Sequence, residues 1–192
     1  NALAVMSVSP TDDTVNYDPK CVIDDTYIFA KYYGVAIFGI NSMEDNDSVV
    51  LTLNNTEIVS EYTCISSNAS SGIYAGFSIN VNGGSLNGTY GIYAPGYGVY
   101  NLNGVSVTAS IAGIQIAAGE LNILGDTVIE TTNVNSGTYN SLLPSTGSGP
   151  GDICGAIVVG KAGSGYVGDV DVNLVSGTLQ APEDGDALVI CD

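Results

Sequence analysis

The chain of 192 residues has no histidine, no arginine, no tryptophan and only three lysines, Lys20, Lys31 and Lys161. Each absence closes off a class of function. Without histidine there is no imidazole to activate a serine or cysteine nucleophile or to complete a zinc site. Nucleic-acid binding rests on Lys and Arg that neutralise phosphates and release counterions, and anionic membranes attract the same side chains. Twenty acidic residues against three basic ones give a net charge of −17, so neither partner is expected. No apolar run approaches the length of a membrane span or of a signal-peptide core, so membrane insertion is not expected either. The chain opens at Asn1 rather than Met. That start points to a removed leader or an excised fragment.

What is present suits one continuous core: 45% of residues are hydrophobic, and no shift in composition separates two modules. The expectation is a single domain over residues 1–192, with a terminal arm over 1–20. Four cysteines, Cys21, Cys64, Cys154 and Cys191, lack the CxxC spacing of a zinc site. An even count in an exported chain suggests two disulfides. Asn46, Asn54, Asn68 and Asn87 each begin an Asn-x-Ser/Thr sequon and are candidate glycan acceptors.

Internal repetition decides the architecture. One segment recurs as Thr52–Ile58, Asn80–Leu86, Asn101–Val107, Asn122–Val128 and Asn173–Leu179, and the two central intervals are both 21 residues. A second alternates with it: Gly34-Val-Ala-Ile37, Gly72-Ile-Tyr-Ala75, Gly91-Ile-Tyr-Ala94, Gly113-Ile-Gln-Ile116, Gly155-Ala-Ile-Val158 and Asp186-Ala-Leu-Val189. Six copies of one strand and five of the other imply about six coils. The links between them are too short for helices, so each strand must pair with its counterpart in the next coil, in parallel. Alternation then points Ile79, Val81, Leu102, Leu121, Ile123, Val172 and Leu174 inward, with Ile73, Ile92, Ile114 and Ile116 from the second strand. Asn80, Asn101, Asn122 and Asn173 point outward. The period breaks near 59–71 and 129–154, which read as loop insertions. Cysteines at their margins suggest that disulfides tie them down, with Cys21–Cys64 and Cys154–Cys191 preferred among three open connectivities.

The Gly-rich short strands and 21-residue coils resemble the right-handed parallel β-helix of the pectate-lyase-like superfamily, over about residues 34 to 190. The resemblance implies an all-β solenoid. Its lyases use an arginine or lysine base with calcium, and its hydrolases set aspartates beside histidine, arginine and lysine. Two of those residue types are missing here, so the chain is closer to non-catalytic surface and adhesin-type members, and no enzyme is expected.

Carboxylates alone can run acid–base chemistry, which brings in Asp24-Asp25, Glu44-Asp45-Asn46-Asp47, Asp169/Asp171 and Glu183-Asp184-Gly-Asp186. Solvated turns explain all four. Calcium is the one cofactor with a candidate site, at Glu183, Asp184 and Asp186. Three surfaces are candidates for recognition. Tyr74, Tyr93, Tyr97 and Gln115 form either a cross-strand ladder or a glycan platform. The asparagine column forms an amide ladder or a docking face. The apolar segment around Leu3, Val5, Met6 and Val8 caps its own chain or adds to a neighbour. The expected function is a self-assembling filament or surface-layer subunit or adhesin of the cell exterior, with itself or a surface glycan as partner. A carbohydrate-binding module is the alternative, and a calcium-dependent polysaccharide-active enzyme the third.

Overall fold

A computed structural model of the chain describes residues 2–6, 19–38, 49–67, 76–138, 149–160 and 169–191. Among these residues the protein is all-β, with seventeen strands and no helix. They are β1 (Leu3–Met6), β2 (Lys20–Asp24), β3 (Tyr27–Ala30), β4 (Tyr33–Phe38), β5 (Val49–Asn54), β6 (Glu57–Ser60), β7 (Thr63–Ser67), β8 (Phe77–Asn82) and β9 (Ser85–Ala94). There follow β10 (Val99–Asn103), β11 (Ser106–Ile116), β12 (Gly119–Leu124), β13 (Val128–Thr131), β14 (Gly155–Val159), β15 (Val170–Leu174), β16 (Thr178–Gln180) and β17 (Leu188–Ile190).

Every ladder is parallel. One six-stranded sheet takes β2, β5, β8, β10, β12 and β15 in that order, and an eleven-stranded sheet takes the rest. The larger sheet carries two ladders side by side. One runs β3, β6, the first half of β9, the first half of β11, β13 and β16. The other runs β1, β4, β7, the second halves of β9 and β11, β14 and β17. The chain therefore passes the same three stations repeatedly, because a parallel partner is reached only by travelling round. Each passage is a tier: tier 1 is β2–β4, tier 2 β5–β7, tier 3 β8–β9, tier 4 β10–β11, tier 5 β12–β14 and tier 6 β15–β17. This arrangement is compatible with a solenoid.

The alternation expected from sequence sets the core. Leu51, Ile79, Tyr100 and Leu121 stack in one column, Leu53, Val81, Leu102 and Ile123 in the next, and Ile65, Ile92, Ile114 and Ile157 on the third station. All are buried in a single cluster. Ile73 lies outside the described residues. Val172 is half-buried and Leu174 exposed, although both continue inward columns, because β15 is the edge strand of its sheet.

The corner after the first station also repeats. Asp25, Asn55, Gly83, Gly104 and Gly125 all have positive φ, between 47° and 68°. Asp, Asn and Gly are the residue types that tolerate this left-handed backbone. The Asn55 side chain donates to Asp25 Oδ1 at 2.8 Å, tying one corner to the next.

Four expectations need correction. Each tier has three strands rather than two, because the repeated segment Asn80–Leu86 contains the end of β8, a left-handed corner and the start of β9. The missed sixth copy of the first strand is β2, where Val22 pairs with Thr52. The first insertion does not begin at 59, since Glu57–Ser60 and Thr63–Ser67 are paired strands, and Cys64 lies within β7. Finally, Gly113 stands in register with Ala156 rather than Gly155, because Ile114 pairs with Ile157. A one-residue slip of this kind exchanges the inner and outer faces. Of the second stretch expected as an insertion, 129–131 belong to β13, and the next described strand, β14, starts at Gly155.

Candidate functional site

The asparagine column is an amide ladder. Asn101 Nδ2 donates to Asn80 Oδ1, Asn122 Nδ2 to Asn101 Oδ1 and Asn173 Nδ2 to Asn122 Oδ1, each at 2.9 Å. Parallel in-register pairing brings identical amides one strand spacing apart, so each supplies the donor its neighbour lacks. A shorter ladder of Asp24, Asn54 and Asn82 borders the corner. Asn54 spends its amide there, at 2.7 Å from Asp24 Oδ1. Of the two described sequons, Asn87 is the exposed one; Asn46 and Asn68 lie outside the described residues.

The expected tyrosine platform is not assembled. Tyr93 is 5% exposed and Gln115 2%. In the preceding tier the neighbour of Tyr93 is Ser66, not Tyr74, which lies outside the described residues. Tyr97 follows β9 outside any strand. The outer face of the third station is covered by the chain's own insertion. Gln115 Nε2 donates to Gly151 O at 3.0 Å while its Oε1 accepts from Gly151 N at 2.8 Å, and Tyr90 donates its hydroxyl to the same carbonyl at 2.9 Å. Asn135 makes an equivalent clamp on the Cys154 backbone, at 3.1 and 2.7 Å. Ile153 then packs with Tyr90, Ala112, Val158 and Val189 in a second small core.

These amide clamps hold the insertion where disulfides were expected. None of the four cysteines is disulfide-bonded. Cys21 belongs to the six-stranded sheet and Cys64 to the other, and facing sheets lie on the order of 10 Å apart, beyond the reach of a bridge. Cys154 precedes Ile157 by three residues and Cys191 follows its register partner Leu188 by three, which puts them on the order of 20 Å apart along extended chain. Burial pushes the Cys64 thiol up to about 12, partly offset by backbone hydrogen bonds from Asn87 and Ser60. A thiol held neutral this firmly is not a nucleophile.

A different tyrosine group exists. Tyr32, Tyr33, Tyr62 and Tyr90 pack edge-on or tilted, with ring centroids 5.2 to 5.8 Å apart. Tyr32 is 61% exposed. Burial, with the neighbouring tyrosines, raises the Tyr33 and Tyr62 hydroxyls above their ordinary range. The signal for this group lay in the Tyr32-Tyr33 pair and Tyr62, but the repeat alignment did not include them.

The carboxylates do not converge. Asp24 and Asp25 accept from Asn54 and Asn55 and serve the corner. Glu183, Asp184 and Asp186 lie on an exposed turn closed by Gly185 N to Pro182 O at 2.8 Å. Among the described residues, no group of three His, Cys, Asp or Glu side chains is placed to hold a metal ion. The 44–47 cluster lies outside the described residues.

The two ends of the stack differ from everything between them. At tier 1, β2 and β3 are edges, with Val22, Tyr27, Phe29 and Tyr32 exposed. At tier 6, β15, β16 and β17 are edges, with Leu174, Val175, Leu188 and Ile190 exposed. The third station of tier 1 alone is covered: β1 pairs with β4, Leu3 on Val35 through Met6 on Phe38. The N-terminal segment therefore caps its own chain over Leu3–Met6; Val8 lies outside the described residues.

Among the described residues, no helix is long and apolar enough to cross a membrane. Comparison with family models, curated proteins and solved structures gives no match to this chain.

Proposed function

We propose that the chain is a six-coil parallel β-solenoid, of the architecture shared by the pectate-lyase-like superfamily, and that it serves as a non-catalytic structural subunit of the cell exterior which assembles end to end. One observation carries this reading. Among the described residues β2, β3, β15, β16 and β17 each leave one edge unpaired, with the inward Leu174 and Leu188 exposed on β15 and β17, and such edges template the addition of another chain unless they are blocked. The absence of histidine and arginine, and carboxylates spent on corners and turns, support a non-catalytic role. The exposed Asn87 sequon and the strongly acidic surface suit the cell exterior.

Electron microscopy and sedimentation velocity across a wide concentration range test the assembly. Linear particles of one subunit's width are expected, growing with concentration. Monomers alone at the highest concentration overturn it.

The second reading, carbohydrate binding, is favoured by the tyrosine group, whose packed rings leave Tyr32 open at the surface for contact with a sugar face. Oligosaccharide binding lost on Tyr32→Ala would support it, and no binding to a broad glycan set would remove it.

A further inference from the structure

β1 occupies the place that the last strand of another copy would take. Extending each column by one tier shows why. On the third station the column runs Val35, Ile65, Ile92, Ile114, Ile157 and Leu188, and Leu3 sits on Val35 where the next copy's Leu188 would fall. Two residues along, Val5 sits on Ile37, and Ile190 ends the column that includes Ile116 and Val159. The sequence Leu3-Ala-Val5 thus takes the register positions of Leu188-Val-Ile190.

The other two stations fit a second copy in both shape and charge. In the six-stranded sheet one outward column runs Lys20, Val50, Ser78, Val99, Glu120 and Asp171, so a copy stacked in register sets Asp171 directly against Lys20. On the second station Phe29 and Gln180 end a common column. Lys31, two residues past Phe29, then faces the acidic turn Glu183-Asp184-Gly-Asp186 that begins three residues past Gln180. Both described lysines lie on tier 1, which also carries Asp24 and Asp25, whereas Asp169, Asp171, Glu183, Asp184 and Asp186 on tier 6 have no described lysine among them. In a chain of net charge −17, which repels its copies over most of its surface, Lys20 and Lys31 set against this acidic end are the complementary contacts found among the described residues.

β1 and full stacking exclude each other. A copy stacked in register sets β15 on β2, β16 on β3 and β17 on β4, and the edge of β4 that β17 needs is already taken by β1, so with β1 in place the three stations cannot all be joined. Resting on the end-to-end assembly proposed above, we infer that copies join by strand exchange: β17 of one copy displaces β1 from β4 of the next, β15 and β16 add to β2 and β3, and the Lys20–Asp171 contact sets the register. The exchange replaces one four-residue strand by three strands. β1 is thereby an intramolecular brake on a joint made by a second copy of this chain.

The test follows growth by light scattering and microscopy for the full chain, for a variant lacking residues 1–8, and for the pair Leu3→Cys with Val35→Cys, which locks β1 to β4 when oxidised. Removing the brake should lower the concentration needed for growth by about tenfold, since a competing strand no longer holds most molecules closed. The oxidised lock should not grow, and reduction should restore it. Lys20→Glu and Asp171→Lys should each slow growth and together recover it. Growth of the oxidised lock at the normal rate overturns the exchange, as does loss of growth in a deletion variant that keeps its β circular dichroism. Should the deletion variant fail to fold, the lock decides. Single and double charge variants that all grow normally overturn the register. Filaments indifferent to all these changes remove the exchange and its register but not the assembly, whereas no filaments from any variant remove the assembly reading itself.

Discussion

The middle of the stack and its two ends are built from the same columns, yet they have opposite fates. Ile114 and Ile157 are buried, while Leu188, one tier further along the same column, is 43% exposed; Ile190 reaches 72% where Ile116 is buried and Val159 half-buried. The outward amides are likewise satisfied through the middle, and Asn173 ends the ladder without a neighbour beyond it. In the inward columns the residue types do not change between the regions; only the presence of a neighbouring strand does. Burial here belongs to the stack rather than to the residue, as a quasi-one-dimensional array requires. In the assembly proposed above, an unpaired edge is a surface that a further tier would cover, and β1 shows one way in which β4 is covered.

The sharpest way to break the middle is at Tyr100. It is fully buried among the aliphatic columns, meets Phe77 edge-on at 5.5 Å, shares a 2.7 Å hydrogen bond with Ser67 Oγ and donates to Gly96 O at 3.1 Å. Tyr100→Ala should cost ~3–5 kcal/mol of unfolding free energy by denaturant titration, from lost burial, a cavity and unpaired partners. Gly113→Val belongs to the same class. A Cβ there would strike Ile129 Cγ2 and the Ala156 carbonyl, and overpacking of this kind costs ~1–3 kcal/mol.

Alkali tests the middle selectively. Burial raises the Cys64 thiol from 9.0 to about 12 and the Tyr90 hydroxyl from 10.0 to about 12, the latter with help from Tyr62, Asp152 and Cys154. Both groups are neutral when protonated, and the unfolded chain loses these protons first as pH rises. Their stabilising contribution is thus complete below pH 9 and disappears between pH 9 and 12. The thermal midpoint should fall across that window, and Cys64→Ala should remove the lower part of the fall. A midpoint flat from pH 9 to 11 would contradict the burial of Cys64.

The cover on the third station offers a smaller, local break. Gln115→Ala removes two hydrogen bonds to Gly151 and leaves that backbone with Tyr90 alone, for a cost of ~1–3 kcal/mol. Amide exchange should accelerate over 149–154 while tiers 2 to 4 keep their protection. Uniform acceleration would mean that the insertion is integral to the stack rather than clamped onto it.

Much of this was legible in the sequence, for reasons that also explain the failures. The first station was read correctly at every copy from Thr52 to Asn173, because an outward asparagine flanked by aliphatic residues marks both face and register. The inward isoleucines at 92, 114 and 116 followed from the same alternation. The third station was misread where the motif loses its glycine: Thr63-Cys-Ile-Ser-Ser67 does not resemble Gly91-Ile-Tyr-Ala94, although it is its parallel partner. The look-alike Gly72-Ile-Tyr-Ala75 drew the alignment instead. Tyr93 and Gln115 do alternate outward, but outward is not exposed when an insertion folds back. That cover depends on contacts between Gln115 and Gly151, 36 residues apart, which no local pattern announces. Even cysteine number likewise carried no information about distance.

The smallest expected effect is the most discriminating between the two regions. Ile190→Ser replaces an aliphatic side chain that is mostly in water, so the isolated chain should change by less than about 0.5 kcal/mol, as surface substitutions do. The same change two tiers earlier in the column, Ile116→Ser, puts a hydroxyl in the core and empties the volume beside it, at ~2–5 kcal/mol. If the two substitutions proved equally costly in dilute monomer, the last tier would already be covered and the distinction between middle and end would fail. If Ile190→Ser is silent in the monomer but slows growth of linear particles, the residue is doing in the assembly what Ile116 does within the chain. An end position would then have been converted into a middle one by the arrival of a neighbour, with Ile37 of that neighbour as its new partner in the column.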